Sequence, residues 1–126
     1  MRTKSLTKKY FFTAILFCFI LIITCCSTAY KNLQAKLPDL NEKQDGAYQG
    51  EYDLSGTPVR VSLEVVLKGK IIDSINIKEH ICSPIGKKAE AIIDKIITQQ
   101  SLDIDAVSGA TGSSKAILKA VENALQ

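Results

Sequence analysis

The chain has 126 residues, room for one domain, and carries 16 Lys and Arg against 13 Asp and Glu. Its net charge of +3 is concentrated at the start, where Arg2, Lys4, Lys8 and Lys9 precede any acidic residue. Setting those four aside leaves 12 basic against 13 acidic residues, a net of −1, and so nearly neutral a body excludes a nucleic-acid partner, which needs a concentrated basic surface.

The basic start runs into residues 10–30, 21 positions without Asp, Glu, Lys or Arg. About 20 apolar residues cross the hydrocarbon core as a helix, and lysines on the N-terminal flank keep that end cytoplasmic. A buried core helix would show a polar face, and this segment has none. Residues 1–30 are therefore predicted to be a membrane anchor or signal segment. Three fates stay open. The segment can persist as a single-pass anchor. It can be a lipoprotein signal, since Ile23-Thr24-Cys25 loosely resembles a lipobox. It can be cleaved after Ser27-Thr28-Ala29, a small-x-small site. All three place the soluble domain outside the cytoplasm at the cell membrane. Cys18, Cys25 and Cys26 lie in or beside the apolar segment, leaving Cys82 without an internal disulfide partner, and no Cys/His spacing suggests a metal site.

Residues 31–45 are polar, contain Pro38 and show no sustained period, which predicts a linker. The domain is expected over 46–126. Tyr48, Gly50, Tyr52 and Leu54 alternate with polar neighbours, as do Val59, Val61, Leu63, Val65 and Leu67 after the turn-forming Ser55-Gly56-Thr57-Pro58. Lys68-Gly69-Lys70 predicts a hairpin turn, followed by Ile71, Ile75 and Ile77 facing inward. This is the period of a three-stranded antiparallel meander with one buried face. The period then changes: Ala89, Ile92, Ile93, Ile96 and Ile97 form the stripe of an amphipathic helix over roughly 87–100. A short connecting strand is expected over 101–107. A last helix, capped by Ser113 or Ser114, presents Ile117, Val121, Ala124 and Leu125. The predicted fold is thus an N-terminal membrane helix and then an α+β domain, a small antiparallel β-meander covered by two helices.

The chemistry concentrates in Asp105-Ala106-Val107-Ser108-Gly109-Ala110-Thr111-Gly112-Ser113-Ser114. Gly109 and Gly112 permit close backbone approach. The free N–H groups that open the last helix favour an anion by about 0.3–1 kcal/mol, and Ser108, Thr111, Ser113 and Ser114 offer hydroxyls. Local physics alone is better served by a capped helix that follows a flexible turn.

Asp105-x-x-Ser108-Gly109-Ala110-Thr111 resembles the Asp-x-x-Ser/Thr-Gly-Ala-Thr motif of the FMN-binding domain family, which includes the C subunit of sodium-pumping NADH:quinone oxidoreductase and the G subunit of the Rnf complex. Asp45-Gly46-x-Tyr48-x-Gly50 resembles the family's opening strand, and 58–77 and 100–125 its hairpin and closing half. The resemblance implies FMN joined covalently through its phosphate to Thr111, with Ser108, Gly109, Ala110, Gly112 and Ser113 around the phosphate and Asp105 as the leading acid. It also implies an exported, magnesium-dependent flavin transferase as partner, using FAD as donor. A base is not apparent near Thr111, consistent with the transferase supplying the chemistry. One segment departs from the family pattern: His80-Ile81-Cys82-Ser83-Pro84-Ile85-Gly86-Lys87-Lys88 stands where many members have Thr-Pro-Gly-x-Gly, with Ile85 replacing the glycine after proline. In this segment His80 reads either as a flavin contact or as a strand-end histidine, and Lys87 and Lys88 as a solvated pair or as phosphate contacts.

These features predict an electron carrier that exchanges electrons with redox partner proteins or a quinone-linked donor and has no catalytic residues of its own. The alternatives are a flavin-dependent oxidoreductase acting on a small external acceptor, and a structural or interaction module without flavin.

Overall fold

A computed structural model of the chain describes residues 33–126. The predicted membrane segment lies outside the described residues, and among those described no helix is long and apolar enough to cross a membrane. Three strands, β1 (Gly46–Asp53), β2 (Arg60–Lys68) and β3 (Ile71–Ile81), form an antiparallel sheet in the order β1-β2-β3. A 3-10 helix (Gly86–Ala91), a helix α1 (Ile92–Gln99), an irregular stretch and a helix α2 (Thr111–Leu125) complete the domain. The α+β reading, a meander covered by helices, is what the fold shows.

The alternation in β2 is realised directly: Val61, Leu63, Val65 and Leu67 are buried, while Ser62, Glu64 and Val66 are only half-buried on the other face. In β3 the register shifts twice, between Val66 and Leu67 and between Ser62 and Leu63 of its partner. Each shift leaves one extra residue in β3, Asp73 and then Lys78, a β-bulge that resets which side chains face the core. The inward set is consequently Ile72, Ile75, Ile77 and His80. Ile71, expected inside, is 53% exposed, and Ile72 takes its place opposite Leu67.

The continuous helix expected over 87–100 is divided. Its first part is a 3-10 helix, opened by an i to i+3 bond from Lys88 N–H to the Ile85 carbonyl (3.2 Å), and its apolar stripe still buries Ala89, Ile92 and Ile96. The strand expected over 101–107 does not form. A fourth strand at the edge of β3 would need free backbone groups there, and Gln100 already takes those of Ile72. Its Oε1 accepts from Ile72 N–H and its Nε2 donates to the Ile72 carbonyl, both at 2.8 Å. The following stretch is instead held by Leu102, Ile104 and Val107 packed on the core.

Helix α2 packs on β1, β2 and the 3-10 helix, and α1 on β3. The approach of α2 to β1 is close because Gly50 has no side chain: a Cβ there would lie 2.1 Å from the Ala120 carbonyl oxygen and 2.6 Å from the Ala124 nitrogen. The residues before β1 also rest on the domain. Ala35, Leu37 and Leu40 pack against the core, Lys36 N–H donates to Glu122 Oε1 (3.3 Å), and Lys43 Nζ donates to the Gln126 carbonyl (3.1 Å). Asp45 accepts from the β2–β3 turn at Gly69 N–H (2.9 Å) and Lys70 N–H (3.4 Å).

Candidate functional site at the start of α2

The motif enters from the irregular stretch, where Asp105 is exposed, and turns sharply before the helix. Ala110 N–H donates to the Val107 carbonyl at 2.9 Å, closing a four-residue turn over Ser108 and Gly109. Gly109 has φ of +80° and Ser108 is not among the positive-φ residues, the pattern of a type II turn, whose third position requires glycine. Ser108, Gly109 and Thr111 are exposed, Gly112 is half-buried, and Ala110 is buried.

Helix α2 starts at Thr111, earlier than either serine expected to cap it, with Ala110 in the cap position and no side-chain cap. The reason is that both serines are engaged inside. Ser114 is fully buried; its hydroxyl donates to the Ala110 carbonyl (2.9 Å) and accepts from Val107 N–H (3.0 Å). It thereby clasps the turn to the second turn of the helix. Ser113, also buried, faces the segment after β3: a Cβ on Gly86 would lie 2.7 Å from Ser113 Oγ and 2.9 Å from Cys82 Cβ.

The result is a first helical turn whose backbone donors have no side-chain acceptor, with the exposed Thr111 hydroxyl at its head. Such a terminus collects backbone N–H groups and the positive end of the helix dipole on one anion. These residues fit the phosphate end of a nucleotide-like cofactor. The departing segment forms one wall of the same neighbourhood, since Ile85 Cγ2 is 3.7 Å from where a Gly109 Cβ would stand, and Ile85 itself is 57% exposed. The resemblance had set this segment near the flavin, but the contact of Ile85 with the Gly109 turn was not legible in the sequence.

His80 sits at the end of β3 with its side chain only 1% exposed and Nδ1 2.9 Å from Glu90 Oε1 on the 3-10 helix. Lys87 and Lys88 are exposed on that helix, and Cys82 is a half-buried free thiol. Among the described residues no cluster of His, Cys, Asp and Glu could hold a metal ion.

The FMN-binding domain model matches residues 55–126, which include all of this site. The chain belongs to the FMN-binding domain family. A member of this family binds flavin, and the structural fit of the uncapped turn to a phosphate agrees with FMN as the cofactor. The chain is also similar to an uncharacterized protein of Treponema pallidum (strain Nichols), 36% identical over 87 residues that cover 68% of this chain and 24% of that protein. It therefore spans about a quarter of that relative's length.

Proposed function

We propose that this FMN-binding domain is held at the outer side of a membrane by its N-terminal segment and carries electrons through FMN esterified to Thr111. The observation that carries the reading is the exposed Thr111 at the head of an uncapped helix, directly after the Gly109 turn. Bound FMN supplies the redox chemistry. Thr111 Oγ is the acceptor oxygen, the first-turn N–H groups and the Ser108–Gly109 turn hold the phosphate, and Ser114 keeps that turn in place. The single histidine of the chain is buried on Glu90, so it is not available to deprotonate Thr111. Activation of the hydroxyl accordingly belongs to a flavin transferase. A tether keeps the flavin at an effective concentration on the order of millimolar, so a shallow site suffices and the ring edge stays open to redox partners. A quinone-linked donor or a partner protein then exchanges electrons with it.

The test is to produce the chain together with a flavin transferase and weigh it. The expected gain is the mass of one FMN less one water, with fluorescence that stays on the denatured chain in a gel. Thr111→Ala is expected to lose the adduct entirely while stability shifts by no more than about 0.5 kcal/mol, as for an exposed side chain. An intact adduct on that variant would move the ester to another hydroxyl. Steady turnover of a small acceptor by the purified protein would favour an oxidoreductase over a carrier.

A further inference from the structure

The segment between β3 and the 3-10 helix is held by a contact that the motif reading does not use. His80 is opposite Val61, which is fully buried, so its side chain lies on the core face of the sheet. It reaches that face because the bulge at Lys78 resets the alternation of β3. There Nδ1 meets Glu90 Oε1 at 2.9 Å. A carboxylate only accepts, so Nδ1 carries the proton and donates. Nε2 is buried and has no hydrogen-bond partner among the described residues. A buried imidazole with one nitrogen unsatisfied is costly, and its single bond fastens the end of β3 to the 3-10 helix. The other end of that helix begins at Gly86, wedged between Cys82 and Ser113, next to Ile85 beside Gly109.

We propose that His80 and Glu90 are a positioning pair for the cofactor loop: through the 3-10 helix they press Ile85 and Gly86 onto the Gly109 turn and Ser113. The pair acts on the flavin only through those neighbours, and its effect on flavin rests on the reading of Thr111 as the attachment point. Losing the carboxylate leaves both imidazole nitrogens unpaired, frees the 3-10 helix from β3 and loosens the wall against which the turn is built.

Two measurements test this on the full chain. The first is amide exchange in protein without flavin, read at Val107 and Ala110, whose N–H groups are bonded to Ser114 Oγ and the Val107 carbonyl. Glu90→Ala is expected to raise exchange at these two amides by about tenfold or more through local opening. Glu90→Gln keeps an acceptor for Nδ1 and should stay close to wild type. Glu90→Asp, which keeps the charge but shortens the reach, should fall between them and replaces the alanine variant if that one does not fold. The second is iodide quenching of flavin in protein whose adduct mass has been verified, expected to be stronger in Glu90→Ala and restored in Glu90→Gln. A lowered melting temperature with unchanged exchange at Val107 and Ala110 would mean that the pair only stabilises the fold, and would overturn the proposal. Absence of any adduct on the wild-type chain would instead overturn the proposed function, with the exchange measurement still deciding the role of the pair.

Discussion

From Ala116 onward, α2 turns Ala116, Ile117, Ala120, Val121, Ala124 and Leu125 to the core, all buried, whereas its first turn exposes Thr111 and leaves its backbone donors uncapped. One helix thus has two ends under opposite constraints. Each fully buried Leu, Ile or Val contributes about 1.5–3 kcal/mol relative to an exposed one. With three such side chains, Ile117, Val121 and Leu125, in its last three turns, the helix does not depend on a capping side chain. The first turn can keep its donors for a ligand because the other end supplies the stability. The two ends are also joined to different neighbours: the packed end to β1 through Gly50, the open end to the 3-10 helix through Gly86 and to the turn through Ser114.

The sharpest way to break the packed end is Gly50→Ala. Its Cβ would collide with backbone, the Ala120 carbonyl at 2.1 Å and the Ala124 nitrogen at 2.6 Å, and backbone does not swing away as a flexible side chain does. A loss of about 3 kcal/mol or more is expected, beyond ordinary overpacking, read as a fall in urea midpoint or melting temperature. A variant of wild-type stability would mean that β1 and α2 are not pressed together there.

Ser114→Ala tests the open end. It removes an acceptor from Val107 N–H and a donor from the Ala110 carbonyl in a fully buried place, at an expected cost of about 1–3 kcal/mol. The discriminating readout is kinetic. Flavin attachment should slow although Thr111 is intact, whereas Gly50→Ala in its folded fraction should be labelled at the wild-type rate. Equal rates in wild type and Ser114→Ala would remove the clasp from the account.

The smallest effect is expected where the segment before β1 meets the β2–β3 turn, remote from either end of α2 in sequence. The hydrogen bond from Gly69 N–H above all, then that from Lys70 N–H and the charges of Lys70 and Lys68, hold the Asp45 carboxyl below its usual value against the opposing effect of desolvation. Because the folded value is depressed, this stabilisation is present above the unfolded carboxylate pKa and is lost as pH falls through the folded one. Asp45 is fully exposed, so the effect is small. Asp45→Asn should therefore lower stability slightly at neutral pH and converge with wild type in acid. A constant gap between the two at every pH would show that the carboxylate charge is not what holds the turn.

Much of this was readable along the chain because it depends on near neighbours. Alternation of Val61 to Leu67 and the 3.6 period through Ile92 and Ile96 report which face is apolar, and both held. Where the reading failed, a distant partner intervened. The Gln100 amide occupies the edge of β3 that a strand over 101–107 would have needed. Ser113 and Ser114 have the composition of caps, but Ser114 bonds Val107 N–H and the Ala110 carbonyl, and Ser113 is buried facing Gly86. The bulges at Asp73 and Lys78 exchange Ile71 for Ile72 at the core and bring His80 inside, and alternation in a single strand cannot reveal an extra residue relative to its partner.

The motif was likewise local. Asp105 to Thr111 are consecutive, their turn closes on itself from Val107 to Ala110, and the glycine at its third position is demanded by backbone sterics alone. Family and flavin cofactor could therefore be read from residue order, whereas Thr111, expected in the loop ahead of a Ser113 or Ser114 cap, proved to open the helix itself. The surroundings of that turn could not. That Ile85 lies beside Gly109, that Gly86 fits between Cys82 and Ser113, and that His80 meets Glu90 follow from the packing of the segment after β3 onto the sheet end and α2. The contacts His80–Glu90, Ile85–Gly109 and Gly86–Ser113 join residues 10 to 27 positions apart, and only the folded chain sets which of them touch.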